Sequence, residues 1–373
     1  MRHLHYVQSL ETLQGGGLGL AALELHRTLI RQGTASELVA TCGGESRMES
    51  CVWEYARWGP EKAYFSWELV KAARERLGQT DIVHEHGFYV GTNAILGRAA
   101  RKRGLPLVGH PQGFFDPWIL RRSQVKKYVA NRIFQAGNFR ATRLWRALTG
   151  KEADQIRAQG FTAPIVVLPN GVHLPPEKEV GLATGLIPAK ERPYRLTLLS
   201  RIHPKKGFDL LIPALARQEM KDWEVYVVGP DENGYLAEVQ EMVRRHDLKG
   251  KVVFLPAVSG GAKAELFRSS DLFALPSYSE GFPVAVVEAA SYGLPVVMTD
   301  ECNFPELAAA GGAWICEPEV GALADTLRDA LRAGPEERRQ RGELGRQLIG
   351  LKYTWDQIAR ELARACDDLL SKA

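Results

Sequence analysis

The sequence predicts an α/β protein built from two consecutive parallel sheets, each covered by helices on both faces. Three observations lead there. At 373 residues the chain is long enough for two domains of about 150 residues. Short apolar runs alternate with helical patterns in both halves, the signature of a parallel sheet. Residues 174–193, LPPEKEVGLATGLIPAKERP, interrupt that alternation with Pro, Gly and charge, and it restarts beyond them. The expected boundaries are 1–175 for a first Rossmann-like domain and 176–353 for a second, with 354–373 a helix packing back on the first.

The elements follow in order. HLHYVQSL reads as a strand, QGGGLG as a tight loop, and LAALELHRTLIRQG as an amphipathic helix ending at Gly33. SELVAT, DIVHEHG and PLVGH are further strands. In the second half RLTLLSRI, WEVYVVGP, KVVFLP, DLFALPS and PVVMTD read as strands with helical patterns between them. TWDQIARELARACDDLL closes the chain as a helix capped by Thr354. Open parallel sheets bind ligands at the carboxyl ends of their strands, so two facing edges would form an interdomain cleft suited to a two-part substrate.

Composition narrows the function. Five cysteines occur without a CxxC pair, which argues against a disulfide framework or zinc site and for a reducing, cytoplasmic setting. The first residues lack the apolar core of a signal peptide, and no apolar run reaches the roughly 18 residues of a membrane span. Net charge is +4, but residues 1–170 carry 23 basic against 14 acidic groups and the remainder 25 against 30. The first half therefore favours an anionic partner.

Five strand ends carry candidate residues. Ser279-Glu280-Gly281-Phe282-Pro283-Val284, leading to Glu288, follows DLFALPS. Gly281 permits close backbone approach, and open amides at a helix start would face a diphosphate. Glu288, about 7.5 Å along that helix, can accept two hydrogen bonds from a ribose diol. Arg201 and Lys206, in RIHPKKGF after RLTLLS, can converge on a leaving diphosphate without a metal. Gly16 and Gly17, in the glycine-rich turn, would present amides to a phosphate. That turn is not GxGxxG, so a nicotinamide dehydrogenase fits poorly. His110 ends PLVGH and points toward the cleft or is a satisfied buried histidine. His84 and His86 also end a strand and share one of its faces; a metal there would need a third ligand, so they read as structural or acceptor-facing.

The stretch Arg121–Arg146 holds eight basic residues, no acidic ones and four aromatics. Arg121, Arg122, Lys126 and Lys127 are candidates for an anionic bilayer or an acceptor's phosphate, or form a solvated helical face. No nucleic-acid recognition motif accompanies them.

Together these strings resemble glycosyltransferase family 4, retaining enzymes of the GT-B fold. The likeness covers GGGLG, DIVHEHG, PNGVH at 169–173, RIHPKKG, VVGP at 227–230, SDLFALPSYSEGFPVAVVEAASYGLPVV at 270–297 and YTW at 353–355. Seven residues separate Glu280 from Glu288, a specific spacing. The resemblance implies that Arg201 and Lys206 hold the diphosphate of a nucleotide-sugar donor and Glu288 the ribose. It puts Glu280 and the amides of Gly281, Phe282, Pro283 and Val284 on the donor sugar. His110 lies beside the transferred sugar, and Gly16 and Gly17 by the phosphate. It implies no cofactor or metal, and a front-face displacement in which the leaving phosphate oxygen helps deprotonate the acceptor. GHPQGFFDPWILRRSQVKK further resembles a branch, reading SPRGMLxPWAL, that builds exopolysaccharide or O-antigen on lipid carriers; here His110 and Gln112 replace its Ser and Arg. The implied partner is thus a saccharide acceptor on a lipid diphosphate. A sugar-nucleotide epimerase of the same fold and a non-catalytic sugar-nucleotide binder are the alternatives.

The basic stretch generates a prediction. The protein should sediment with anionic vesicles and be released as salt is raised, because screening shortens the reach of surface charge to about 8 Å at physiological ionic strength. Equal sedimentation with neutral vesicles would refute an electrostatic anchor.

Overall fold

A computed structural model describes residues 1–59, 64–88, 91–117, 135–176, 185–189 and 193–371, with backbone alone at 12–16. Arg121, Arg122, Lys126 and Lys127 lie outside the described residues. The chain divides into two compact units, Met1–Gly171 with Trp355–Ala373, and Val172–Thr354.

The first unit contains β1 (Arg2–Ser9), α1 (Thr12–Arg31), β2 (Ala35–Cys42), β3 (Arg47–Glu49), β4 (Val52–Ala56), α2 (Trp67–Arg76), β5 (Ile82–His86), α3 (Gly91–Lys102), β6 (Leu107–His110), α4 (Ala136–Ala141), β7 (Thr142–Ala147), α5 (Gly150–Ala158) and β8 (Ile165–Val167). The strands form one sheet in the order β3-β4-β2-β1-β5-β6-β7-β8. All pairings are parallel except β3 with β4. One face packs Leu4, Tyr6, Val83 and Leu107 against α2 and α3. The other packs Ile82, Val108 and Leu144 against Ala21, Leu25 and Leu29 of α1.

The second unit contains β9 (Tyr194–Leu199), α6 (Phe208–Ala216), β10 (Trp223–Val228), α7 (Tyr235–Arg245), β11 (Val252–Leu255), α8 (Gly260–Arg268), β12 (Leu272–Leu275), α9 (Val284–Ser291), β13 (Val296–Thr299), α10 (Pro305–Ala309), β14 (Ala313–Cys316), α11 (Val320–Arg332) and α12 (Pro335–Lys352). Its sheet runs β11-β10-β9-β12-β13-β14, parallel throughout. The sequence steps outward from β9 to β11 and then returns to the other side at β12. The switch point therefore lies between β9 and β12.

The closing helix α13 (Trp355–Ser371) belongs to the first unit. Trp355, Ile358, Ala359, Leu362 and Cys366 recur at helical spacing and bury against α1. Gly171, in PNGVH, lies against the start of this helix: a Cβ there would meet the Trp355 backbone nitrogen at 2.5 Å. Asn170 of the same string accepts from the buried Arg146 guanidinium at 3.2 Å. Both motifs thus serve the seam where the chain leaves and re-enters this unit.

Three expectations need correction. Gln14–Gly19 is not a loop, because α1 begins at Thr12 and runs through it. Each glycine costs a helix about 1 kcal/mol relative to alanine. The later turns, anchored in the core by Ala21, Leu25 and Leu29, carry that cost. Second, the 174–193 segment is not wholly a linker. Ile187 is buried with Tyr226, Val228 and Leu266, and the Pro188 carbonyl accepts from Arg195 at 2.9 Å. Third, the end of the basic stretch is core. Phe139 and Trp145 join Phe88, Phe115 and Phe161 in an aromatic cluster, and Arg146 is fully buried. Its Nε donates to the Leu168 carbonyl at 2.9 Å, so here a cation satisfies carbonyls between strands.

Gly171→Ala should destabilise the protein by about 1–3 kcal/mol, since the clash is with backbone that cannot rotate away. Urea unfolding measures this; an unchanged midpoint would refute the close approach.

Candidate functional site

The loops after β9 and β12 meet at the switch point of the second sheet, where parallel α/β sheets bind ligands. The β9 loop ends in a single 3-10 turn, Pro204–Lys206, started by His203, whose side chain accepts from the Lys205 amide at 3.0 Å. Gly207 then takes a left-handed conformation at φ 70°, and a Cβ would meet the Pro276 carbonyl at 1.9 Å. Only glycine lets the β9 loop lie on the β12 loop this closely. The Tyr278 amide donates to the Lys205 carbonyl at 2.9 Å and ties the two loops together.

The side chains follow from that contact. Lys206 Nζ lies 2.6 Å from Glu280 Oε1, both largely sheltered from water. Ser277 Oγ donates to the same carboxylate oxygen at 2.5 Å. Glu280 is held at both ends of its peptide unit: its amide donates to Glu301 and its carbonyl accepts from Asn303. Arg201 pairs with Glu232 at 2.6 Å. That partner arrives because Ile202 bridges to Asp231, which joins the loops after β9 and β10. Glu288, the fifth residue of α9, pairs with Lys263 at 2.6 Å. The site is thus a set of ion pairs, each cation beside an acidic partner. Cys302 beside it is no nucleophile, because burial, with the Glu280 charge second, pushes its thiol up to about 12.

The start of α9 corrects one expectation. Pro283 has no N–H, and the Val284 amide donates to the Phe282 carbonyl at 3.0 Å. From Gly281 to Val284, the amides of Gly281 and Phe282 have no hydrogen-bond partner among the described residues. Gly16 and Gly17 are the fifth and sixth residues of α1, past the four whose amides a helix leaves open, so they form no loop cradle. Sequence reasoning missed Ser277, Lys263, Glu232 and Asn303. Their contacts cross between loops and helices, and no local spacing announces them.

His110 ends β6, fully buried. The turn beyond it is fixed by Glu152, which accepts from the Gly113 amide at 2.5 Å and the Leu148 amide at 2.6 Å. His110 is one of five imidazoles on one sheet face: His3 and His5 on β1, His84 and His86 on β5, and His110 on β6, all at most 2% exposed. His3 Nδ1 lies 2.8 Å from His84 Nε2, His84 Nδ1 3.0 Å from His110 Nε2, and His5 Nδ1 3.0 Å from His86 Nε2. His5 stacks on His84 and His86 on His110, each with 4.1 Å between ring centroids. His26 of α1 lies at the edge of the group.

The third histidine that a metal at His84 needs does exist: ligand atoms of His3, His5 and His84 lie within 4.8 Å of one another. Their ring planes, however, diverge by only 7–19°. An imidazole lone pair lies in its ring plane, so near-parallel rings do not aim at a common point. The His3–His84 bridge moreover occupies the two nitrogens that face each other.

Sequence comparisons follow this division. A family model described as Glycosyltransferase Family 4 matches residues 15–174, and one described as Glycosyl transferases group 1 matches residues 187–348. The D-inositol 3-phosphate glycosyltransferase of Rhodococcus opacus is 30% identical over 283 residues, 71% of this chain and 60% of that protein. That of Mycobacterium tuberculosis is 34% identical over 203 residues, 51% of this chain and 42% of its own length. The chain thus spans about half the length of the curated relatives it matches. In fold it is similar to sucrose-phosphate synthase from Thermosynechococcus elongatus, with TM-score 0.78, 15% identity and full coverage of both chains. It is also similar to HepE from Anabaena in complex with UDP and glucose, with TM-score 0.75, 19% identity and coverage of 99% and 100%. No helix among the described residues is long and apolar enough to cross a membrane.

The buried imidazoles generate a pH prediction. Burial lowers His3 and His26 to about 4 and His86 to about 3, and moves His5, His84 and His110 well below their usual value. Unfolded, each titrates near 6.5. Their stabilising effect is therefore complete above about 6.5 and drains away as pH falls toward 4, where the unfolded chain binds protons the folded one refuses. Glu85, raised by burial to about 8, and Glu152, also raised by burial, run the opposite way but are two groups against six. Urea unfolding at pH 7.5, 6 and 5 should show falling stability; a flat profile would refute it.

Proposed function

Because the chain belongs to glycosyltransferase family 4 and has its GT-B fold, we propose that it moves a sugar from a nucleoside diphosphate donor to a saccharide acceptor. The observation carrying this reading is the convergence of Arg201, Lys206, Glu280 and the Gly281–Phe282 amides around one switch point. The donor's diphosphate takes the cations. Lys206 releases Glu280, and Arg201 releases Glu232, as the phosphate oxygens arrive. The two open amides add donors toward the same anion, and Glu288 turns from Lys263 to the ribose diol. The freed Glu280 carboxylate, still held by Ser277, accepts from hydroxyls of the donor sugar.

The bond from the anomeric carbon to the phosphate oxygen then breaks while the acceptor oxygen attacks. Charge grows on the leaving diphosphate, and Arg201 and Lys206 stabilise it most where it is greatest. No enzyme nucleophile is required: the departing phosphate oxygen takes the acceptor's proton on the same face, so configuration is retained. The first unit receives the acceptor. The basic excess of that half supports an acceptor on a lipid diphosphate carrier at an anionic membrane surface.

Thermal-shift screening should reveal one nucleoside diphosphate among UDP, GDP and ADP that stabilises the protein, by about 2.7 kcal/mol at a hundredfold excess over Kd. Lys206→Ala and Glu288→Ala should each lower transfer about 10²–10³-fold with the fold intact, the cost of removing one charge-stabilising group. Transfer should survive chelator. Wild-type rates in both variants would refute the assignment.

A further inference from the structure

The loop after β13 is built onto the loop that carries Glu280. Thr299 Oγ1 donates to the Ser277 carbonyl at 2.5 Å, and Cys302 Sγ to the Leu275 carbonyl at 3.2 Å. The Glu280 amide donates to the Glu301 carbonyl at 2.9 Å. Asn303 Nδ2 donates to the Glu280 carbonyl at 2.5 Å. This last bond acts on a peptide plane whose other end is open. The Glu280–Gly281 peptide is trans, and a trans peptide holds its C=O and N–H antiparallel. With the Glu280 carbonyl turned to Asn303, the Gly281 N–H therefore points away from Asn303. That N–H has no hydrogen-bond partner among the described residues. Gly281 is exposed, and a Cβ built on it would meet no atom within 4 Å.

Without Asn303 this peptide could turn over. A half-turn of the plane would carry the Gly281 φ from its negative value to a positive one, and glycine tolerates both. The N–H would then face the loop after β13 and the carbonyl would face outward. An outward carbonyl presents the wrong end of the peptide dipole to an anion. Asn303 is suited to prevent this. Its own backbone is left-handed at φ 56°, a conformation that asparagine accepts more readily than most residues. The preceding plane is held as well, since the Glu280 amide is tied to Glu301. One turn thus fixes the planes on both sides of the Glu280 α-carbon.

We propose that Asn303 is a positioning residue: it locks the Glu280–Gly281 peptide so that the Gly281 N–H faces the donor's diphosphate. The lock's role in turnover rests on the transfer reading above; its existence does not. Asn303 acts through the amide and touches no reacting atom. An amide held in place needs no reorganisation as charge grows on the leaving phosphate. The hydrogen bond to the carbonyl also polarises the peptide and makes the N–H a stronger donor.

The test uses the full chain. Glu280–Gly281 is the one Glu-Gly step in the sequence, so ¹³C-glutamate with ¹⁵N-glycine singles out this peptide by nuclear magnetic resonance. In the wild type its amide should show no microsecond-to-millisecond exchange, and should shift on adding UDP, GDP or ADP, whichever binds. Asn303→Gly keeps the left-handed backbone and removes the donor. Asn303→Asp keeps the shape and, ionised, cannot donate. Both should bring on exchange at Gly281. Both should lower kcat about tenfold with donor KM within about threefold. The drop is smaller than the roughly 10²–10³-fold cost of deleting such a donor, because the amide is misdirected part of the time and not lost.

Gly281→Ala disfavours the turned-over peptide, because alanine resists positive φ. In that background Asn303→Gly should cost less than about twofold in kcat. Absence of exchange in both Asn303 variants, or wild-type kcat in both, would overturn the lock. So would an undiminished loss in the Gly281→Ala background, which would make Asn303 merely structural. If the wild type transfers no sugar from any donor, the transfer reading fails, while the exchange measurement still decides the lock.

Discussion

The contact between Gly207 and the Pro276 carbonyl is the constraint on which the second unit's site depends. β9 and β12 are neighbours in the sheet but 73 residues apart in sequence, from Leu199 to Leu272. A left-handed glycine without a side chain lets one loop lie on the other. Lys206 is then delivered to Glu280, and the start of α9 is fixed beside both. The switch in strand order supplies the opening, and the loop contact supplies its chemistry.

The resulting ion pairs differ in how much they can add to stability. Exposed pairs contribute little to folding, typically 0–1 kcal/mol. Arg201 with Glu232 is of that kind. Lys206 with Glu280 is more sheltered, and Ser277 holds the carboxylate whether or not the lysine stays. The carboxylate therefore keeps one hydrogen bond that does not depend on the lysine.

The first unit solves a different problem. Its sheet carries five neutral imidazoles where aliphatic residues would pack, beside a fully buried arginine. Stacking and three nitrogen–nitrogen bridges recover part of the desolvation cost. Arg146 donates through Nε and Nη2 to carbonyls and to Asn170, while its Nη1 is buried without a partner. The aromatic cluster around Trp145 lies on the opposite face of β7, so one short strand separates a polar layer from an apolar one.

The sequence by itself determined the fold class, because strand–helix alternation is a local pattern and burial on both faces makes parallel strands continuously apolar. It also determined which strand ends carry charge: Arg201, Lys206, Glu280 and Glu288 were legible because each stands at a fixed distance from a strand or a helix start. Short or polar strands such as β3, β4 and β7 were not legible, since TRLWRA reads as basic surface until the fold buries Arg146. The glycine-rich segment read as a loop because propensity is local, whereas the helix through it is held by distant packing. Only the tertiary structure decided the partners of the charged groups and the alignment of the histidines. Ser277, Lys263 and Glu232 reach the site across loops, and strand register alone lines up His3, His84 and His110. Register is a long-range property: shifting one strand by a single residue turns its side chains to the other face, and no spacing within the chain records it.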